Sequence, residues 1–213
     1  MSKISLKHSG GNVVSLNSPT NAPGSPDVAF RLPNQDGSAN EVLKTDGSGN
    51  LAFATIAGGK FASYAILVDQ KTSGTNGGSF TCGDWRTRDL NTEIADQDGI
   101  VSISSNQFTL QAGSYLIKAH APAYKVGRHQ IALYDITASN FVQTGSNAYS
   151  DAGMDTVTVS FVHARFTISG ATVYEIRHRS GGTFSNFGFG VSIGNGTFTT
   201  DNNYTYVEIF KES

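Results

Sequence analysis

Hydrophobic and polar residues alternate with a period of two along most of the chain from residue 64 onward. Such alternation, interrupted by Gly, Asn and Asp, is typical of β-strands joined by tight turns. Strands are predicted at 64–68, 100–103, 108–121, 130–135, 156–168, 173–179, 187–193 and 204–210. No segment has a convincing period of 3.6 residues, so the fold class predicted is all-β, as a sandwich or jelly roll.

The segment 156–168 has an unusual pattern. Its apolar positions change parity midway, from Val157, Val159 and Phe161 to the series that starts at Val162. A change of parity without a break indicates either a β-bulge or a strand that is buried on both faces.

The first 58 residues have a different character, with short apolar patches between long polar connections such as Asp46-Gly47-Ser48-Gly49. These patches predict two to four short strands, but they cannot offset an ordering cost of roughly 1–2 kcal/mol per residue. We therefore expect an extended β/loop arm at 1–58, a hinge at Gly58-Gly59 and a globular domain at 59–213. The residues expected to dock the arm on other chains are Val14, Leu16, Val28, Phe30, Leu32, Leu43, Leu51 and Phe53.

Composition narrows the class of protein. Charged residues make up only 15% of the chain and its net charge is −2, so we expect no binding to nucleic acid. Cys82 is the only cysteine, which excludes a disulfide within the chain and favours synthesis in a reducing compartment. Residues 1–7 lack the apolar segment of a signal peptide, and no stretch is apolar for long enough to insert into a membrane.

Residues with catalytic or metal-binding chemistry are sparse. Gly190-Val191-Ser192-Ile193-Gly194 has the letters of a nucleophile elbow, but a turn and another strand are expected after it instead of a helix, so Ser192 is interpreted as a strand residue. Asp96 and Asp98 resemble part of a Ca²⁺ loop without its remaining ligands, and a simple Asp-Gly turn is the favoured interpretation. Asp84 and Asp89 could converge with them as in a glycan hydrolase, but their spacing does not indicate it. No catalytic residue, metal or cofactor is predicted.

Basic and aromatic residues in loops suggest weaker alternatives. Arg177 and Arg179 are expected on one solvated face of a strand, and Arg86-x-Arg88 forms a second small basic cluster. Trp85, Tyr124 and Tyr149 fall in loop-like stretches, where they could stack on the sugar rings of a host glycan or serve as buried anchors.

The segments 108–117 and 204–210 resemble the C1q/TNF-like domains. In the first segment a turn Gly leads into an aromatic-led strand, as in Phe108-Thr109-Leu110-Gln111-Ala112-Gly113-Ser114-Tyr115-Leu116-Ile117. The last strand of that family is resembled by the second segment, Tyr204-Thr205-Tyr206-Val207-Glu208-Ile209-Phe210. The resemblance covers about residues 62–213 and implies a jelly-roll sandwich that forms homotrimers. The interface residues expected from it are Tyr64, Ile66, Val68, Tyr204, Tyr206 and Phe210.

A second resemblance covers the arm. Two stretches of the arm are similar to a linker in tail-fibre and other virion proteins of bacteriophages, notably marine and cyanobacterial phages. They are Phe30-Arg31-Leu32-Pro33-Asn34-Gln35-Asp36-Gly37-Ser38-Ala39 and Val42-Leu43-Lys44-Thr45-Asp46-Gly47-Ser48-Gly49-Asn50-Leu51-Ala52-Phe53. This resemblance implies a structural protein of a phage particle.

Together these features predict a non-enzymatic protein of the virion surface, synthesised in the host cytoplasm. One interpretation is a homotrimeric head decoration or cement protein whose arm grips the major capsid protein. The other is a tail fibre, spike or baseplate tip, joined to a tail protein, that binds a host receptor such as a surface glycan. The sequence barely separates them, because location depends on what the arm docks on.

Overall fold

The computed structural model describes residues 3–7, 9–11, 13–17, 31–55, 59–193 and 199–213, with the backbone alone at 3–7 and 13–17. The chain divides into two compact units, Met1–Ala57 and Gly58–Ser213. This boundary lies one residue before the expected one. The roles assigned to the two parts stay predictions.

Within the described residues, the regular structure consists of strands only. They are β1 (Lys3–Lys7), β2 (Val13–Asn17), β3 (Glu41–Thr45), β4 (Leu51–Thr55), β5 (Phe61–Lys71), β6 (Arg86–Thr87), β7 (Thr92–Ala95), β8 (Val101–Ser104), β9 (Gln107–Leu110), β10 (Gly113–Tyr124), β11 (Gly127–Asp135), β12 (Asn140–Thr144), β13 (Ala148–Ser150), β14 (Val157–Ile168), β15 (Thr172–Ser180) and β16 (Asn202–Glu212). The described part of the chain has no helix that is long and apolar enough to cross a membrane.

The first unit contains two antiparallel hairpins, β1–β2 and β3–β4. The turn of the second hairpin is held by Asp46, whose carboxylate accepts hydrogen bonds from the Ser48 N–H (2.7 Å) and from the N–H and side-chain amide of Asn50 (3.2 and 2.6 Å). The bonds from the Asn50 side chain and the Ser48 N–H lower the pKa of Asp46. The Asp-Gly turn expected here is therefore built by its aspartate as well as by its glycines.

A loop before this hairpin packs on one of its aromatic rings. A Cβ on Gly37 would lie 2.6 Å from ring atoms of Phe53, which no side chain tolerates. Arg31 forms a bridge with Asn50, so the start of the loop is tied to the far end of the hairpin. The loop nevertheless leaves much of the hairpin uncovered, because Val42, Leu43 and Phe53 each stay at least 40% exposed.

The second unit is a sandwich of two antiparallel sheets. The five-stranded sheet has the order β14-β10-β16-β5-β7, and the other sheet has the order β12-β11-β15-β9-β8, with β6 paired to β15 and β13 paired to β11. From β9 onward the chain passes from one sheet to the other between β9 and β10, β10 and β11, β13 and β14, β14 and β15, and β15 and β16. This double-sheet order is that of a jelly roll, so the predicted all-β jelly-roll sandwich is confirmed.

The main core between the sheets is apolar. It consists of alternate residues of the long strands, and its largest fully buried side chains include Phe108, Tyr115, Leu133, Tyr174 and Ile176. The hydroxyl of Tyr115 donates to the Gln111 carbonyl at 2.9 Å, so the phenol brings no unpaired polar group into the core. Burial raises the pKa of Tyr115, and burial together with the Asp135 charge raises that of Tyr174 to about 12.

One end of the sandwich holds a buried cation instead. Arg88 is 1% exposed, and its guanidinium donates to Thr205 Oγ1 (3.0 Å) and to the carbonyls of Phe189 (3.0 Å) and Pro122 (3.4 Å). It lies 4.2 Å above the Phe189 ring. Burial lowers the pKa of Arg88 to about 10, which still leaves it charged at neutral pH, in the field of the buried carboxylate of Asp69. Arg88 was expected to form a small basic cluster with Arg86, but Arg88 is buried and Arg86 is exposed, so the two do not share one surface.

Two histidines lie beside this arginine. His129 Nδ1 is 2.9 Å from His178 Nε2, and His129 Nε2 is 2.7 Å from the hydroxyl of Thr158. The His178 ring is fully buried against Phe80 and Phe189. Burial and the Arg88 charge lower the pKa of His129 to about 4 and hold that of His178 well below its ordinary value. Both rings are therefore neutral near pH 7.

The strand predicted at 187–193 is absent, because these described residues form a turn and an irregular segment. The segment is tied down by other loops, since the Phe189 N–H donates to the Gly78 carbonyl at 3.0 Å. Gly190 adopts φ +138°, and a Cβ there would lie 2.4 Å from the Tyr204 ring. Close approach to Tyr204 and a backbone conformation that favours glycine prevent a regular strand.

Candidate functional site

The outer side of the five-stranded sheet is rich in aromatic and apolar side chains. Because cross-strand neighbours share a face, β5, β10, β14 and β16 together present one surface. We call it the aromatic face, and it is defined by Tyr64, Ile66, Leu116, His120, Phe161, Tyr206 and Phe210.

Three rings of the aromatic face form a row, with one ring on each of three adjacent strands. His120 on β10 lies opposite Phe161 on β14 and opposite Tyr206 on β16. Its ring stacks on Tyr206 with centroids 4.8 Å apart and lies 5.7 Å from the Phe161 ring. Burial lowers the pKa of His120, and the charge of Glu208 partly offsets the effect. Phe161 remains 49% exposed, so the row of rings ends in solvent.

A second group of rings surrounds Phe210. Phe210 lies opposite Leu116 on one side and Tyr64 on the other, and its ring is 5.3 Å from that of Phe61. The ammonium of Lys118 lies 5.3 Å from the Phe210 centroid. Tyr64 is 49% exposed in this arrangement.

Charged residues lie within the aromatic face as well as at its margin. Lys118 lies opposite Glu208 and His163, in the row between Phe210 and Tyr206. Arg165 forms two parallel hydrogen bonds with the carboxylate of Glu212, at 2.6 and 2.7 Å, and Lys60 approaches the same carboxylate at 3.9 Å. The bond from Arg165 lowers the pKa of Glu212. Aromatic side chains beside an arginine–carboxylate pair are features that protein–protein interfaces share.

The structure brings together four of the six expected interface residues, since Tyr64, Ile66, Tyr206 and Phe210 all belong to the aromatic face. The other two need correction. Val68 lies opposite Tyr206 but is already completely covered within the chain. Tyr204 is also buried, because its hydroxyl donates to the Thr75 carbonyl at 2.6 Å. Neither side chain has surface for a partner to cover.

Sequence reasoning missed the contribution of β14. Its pairing with β10 runs without a register shift, so the change of parity is not a bulge. Ser160, Val162 and Ala164 point into the sandwich, whereas Val157 and Phe161 point outward and are 45% and 49% exposed. The parity change was therefore the signal of an apolar outer face.

Four of the expected docking residues of the arm have side chains that the structure describes. Leu32, Leu43 and Phe53 are exposed, and Leu51 is half-buried. Val28 and Phe30 lie outside the described residues, as do the side chains of Val14 and Leu16. Leu43 and Phe53 face each other across the β3–β4 hairpin, so an exposed apolar pair is present where docking was expected.

The suggested Ca²⁺ residues serve a turn. The Asp96 carboxylate accepts the N–H groups of Ile100 (2.9 Å) and Val101 (3.1 Å), and Asp98 is exposed. Among the described residues there is no cluster of three or more His, Cys, Asp or Glu that could hold a metal ion. Both oxygens of Asp96 are thus used to fix the Asp-Gly turn that the sequence favoured.

Ser192 does not lie in a strand–turn–helix setting. It belongs to the irregular segment after Gly190, where its N–H donates to the side-chain oxygen of Asn76 at 2.9 Å. The context that a nucleophile elbow requires is not found in the described part of this segment.

A cavity of about 690 Å³ opens beside β11, β13 and β15, on the other sheet. Its walls include Trp85, Arg128, Gln130, Asn147, Tyr149 and Arg179, and the lining residues that the structure describes include no acidic one. We call this cavity the arginine pocket. It unites two of the three loop aromatics singled out in the sequence.

The third aromatic, Tyr124, serves another purpose. Its hydroxyl donates to the Asp155 carboxylate at 2.6 Å, and Lys125 binds the same oxygen at 2.7 Å. Tyr124 also packs edge-on against Phe184. It is therefore an anchor of the loops at this end of the sandwich and does not line the arginine pocket.

Solved structures with a similar fold come from the C1q and TNF groups. Murine APRIL at pH 8.0 has 10% identity and a TM-score of 0.44, with 70% of this chain and 98% of that chain covered. The globular domain of zebrafish complement 1qA protein has 17% identity and a TM-score of 0.42, with 70% and 96% covered. Eiger TNF from S. frugiperda has 11% identity and a TM-score of 0.44, with 71% and 92% covered. At these identities the likeness is one of fold.

Neither a protein-family model nor a curated protein sequence matches the chain.

Proposed function

We propose that this chain is a non-enzymatic structural protein of a phage particle, which assembles as a homotrimer through the aromatic face and attaches to other virion proteins through residues 1–58. The observation that carries the proposal is the aromatic face itself. Tyr64 and Phe161 of this face are each 49% exposed, and clusters of aromatic side chains at a protein surface mark interaction sites.

Assembly of identical chains explains how such a face becomes covered. A closed ring of subunits buries the same surface on every copy and leaves none exposed. The resemblance of 108–117 and 204–210 to C1q/TNF-like domains favours three copies. In that arrangement β14 is buried on both faces, which is one of the two interpretations of its sequence pattern.

The β3–β4 hairpin of the first unit supports attachment to a different protein. Its exposed Leu43 and Phe53 would be covered only by docking, and its linker resembles those of virion proteins. We favour a head decoration or cement protein whose arm binds the capsid. The second candidate, a fibre or tail tip that binds a receptor, is favoured by the arginine pocket, because such a cavity is suited to a small ligand.

Light scattering of the full chain tests the assembly. The chain has a mass of 22.5 kDa, and we expect three times this value. Phe161→Glu places a charge at an exposed ring of the aromatic face and should give the mass of one chain. Met154→Glu is the matched control, since Met154 is 63% exposed but lies in a turn outside the aromatic face. A single-chain mass for the unmodified protein, or an unchanged mass for Phe161→Glu, would contradict the proposal.

Gold-labelled antibodies against residues 59–213, applied to intact particles, test the location. Label spread over the head supports a decoration protein, and label confined to the tail supports a fibre or tip. Absence of label on particles that contain the chain would contradict an exposed position on the virion.

A further inference from the structure

The arginine pocket has features that assembly through the aromatic face does not use. It lies on the other sheet, and its cavity of about 690 Å³ is within the ~300–1,000 Å³ range of small-molecule sites. Its lining combines two guanidinium groups, two aromatic rings and two amides. We propose that this pocket binds a carboxylate-bearing sugar, such as one uronic acid residue of an acidic polysaccharide.

The two arginines of the pocket indicate that its ligand is an anion. Gln130 lies opposite Arg179, and Arg128 is two residues before Gln130 on the same strand, so Arg128 and Arg179 are diagonal neighbours, roughly 7–8 Å apart at their Cβ atoms. Neither guanidinium forms a hydrogen bond or an ion pair with another residue that the structure describes. By contrast, the neighbouring Arg177 is bound to Glu175.

The charge of the pocket comes from these arginines alone. His129 also lines it, but its pKa of about 4 makes the ring neutral near pH 7. Asp84 comes directly before Trp85 in the sequence, but its carboxylate accepts the N–H of Trp85 at 2.7 Å and does not line the cavity. A guanidinium binds a planar carboxylate through two parallel hydrogen bonds, which makes a carboxylate a good geometric match.

The other walls indicate a sugar ring. Trp85 and Tyr149 provide aromatic surface of the kind on which apolar sugar faces pack, and Tyr149 is 56% exposed. The Trp85 ring packs against the ring of Phe141, with centroids 5.0 Å apart. Gln130 donates its amide N–H to the Gly145 carbonyl at 2.8 Å, which fixes its side chain and leaves its oxygen to accept from a hydroxyl group.

A single tryptophan makes the test direct. Trp85 is the only tryptophan of the chain, so its fluorescence reports on this pocket whatever the number of subunits. The full chain is titrated with trigalacturonic acid, and with galactotriose as the neutral control, up to about 10 mM, which detects dissociation constants on the order of 1 mM. We expect a saturable change with the acidic sugar and none with the neutral one.

Variants assign the response to the two arginines. Arg128→Gln and Arg179→Gln should each weaken binding roughly tenfold or more, since each removes a hydrogen bond to a charged group. Arg86→Gln is the matched control, because it removes an exposed charge next to Trp85 that does not line the cavity. Circular dichroism of each variant checks that the fold is retained.

The proposal would be overturned if Trp85 fluorescence did not respond to trigalacturonic acid, or responded equally to galactotriose. An unchanged response in the folded Arg128→Gln/Arg179→Gln variant would also overturn it. So would saturation by adenosine monophosphate but not by the acidic sugar. The last result would assign the pocket to a nucleotide. The mass of the assembly is measured separately, so failure of sugar binding leaves the proposed trimer standing, and the reverse also holds.

Discussion

The two ends of the sandwich interior differ in chemistry. The main core is built from apolar side chains such as Phe108, Leu133 and Ile176, whereas the other end buries Arg88 and the pair His129 and His178. Apolar burial stabilises through the area removed from water, and it tolerates substitutions that conserve volume. Buried polar groups stabilise only when every partner is present. The polar end should therefore be the more sensitive to single substitutions and to pH.

The largest effect is expected at Arg88. Arg88→Met removes the donor to the Thr205 hydroxyl and to the Phe189 and Pro122 carbonyls, whereas Asp69 keeps its ion pair with Lys71 at 2.9 Å. One oxygen of Asp69 already lacks a hydrogen-bond partner within the described structure. A buried acceptor that loses its donor costs about 1–3 kcal/mol, so with three acceptors affected urea denaturation should show a fall of about 3 kcal/mol or more in the free energy of unfolding.

Arg86→Met provides the comparison for this substitution. Arg86 is exposed and only two residues away, so the same change of side chain should alter the free energy of unfolding by less than about 0.5 kcal/mol. Equal effects at the two positions would mean that the buried network around Arg88 contributes nothing specific.

A smaller effect is expected at Ser160, a polar residue buried beside the apolar core. Its hydroxyl accepts the Ile131 N–H at 3.0 Å and donates to the Ser146 carbonyl at 2.6 Å, so it ties β14 to β11 of the opposite sheet. Ser160→Ala leaves both backbone groups unpaired and should cost about 1–3 kcal/mol in urea denaturation. Ser114→Ala removes a hydroxyl pair with Thr167 at a more accessible site and should cost less. A larger loss for Ser114→Ala would contradict this interpretation of Ser160.

The same contrast explains how much of the fold could be predicted. Long alternating segments such as 113–124 and 157–168 became strands because one face of each is buried in the apolar core. The short strands β6, β7, β12 and β13 were missed, since each is fixed by pairing with a longer neighbour and has little pattern of its own. The segment 187–193 alternates like a strand, but its glycines serve close packing on Phe80 and Tyr204.

The candidate sites were predictable to different degrees for the same reason. Residues of the aromatic face belong to strands, so Tyr64, Tyr206 and Phe210 could be expected together once the strands were known. The arginine pocket unites Trp85, Arg128 and Arg179 from three strands or loops that are distant in sequence. Their proximity depends on the β11–β15 and β6–β15 pairings, which no local pattern specifies.

The last prediction concerns the dependence of stability on pH, to which the two buried histidines of the polar end contribute. His129 and His178 have folded-state pKa values below the ordinary value of 6.5, and that of His129 is about 4. Below about pH 6.5 the unfolded chain therefore binds protons that the folded chain does not. The free energy of unfolding should fall as pH is lowered from about 6.5 toward 4, by at most about 1.4 kcal/mol per pH unit for each proton.

Substitution of one histidine separates this effect from that of the carboxylates. Burial raises the pKa of Asp69, which acts in the opposite direction, because its folded form takes up a proton before the unfolded form does. Urea midpoints at pH 7, 6 and 5 should therefore be compared between the unmodified chain and His178→Gln, whose dependence on pH should be flatter. His163→Gln, at an exposed position on β14, should retain the full slope. Equal slopes in all three proteins would place the acid sensitivity outside the buried pair.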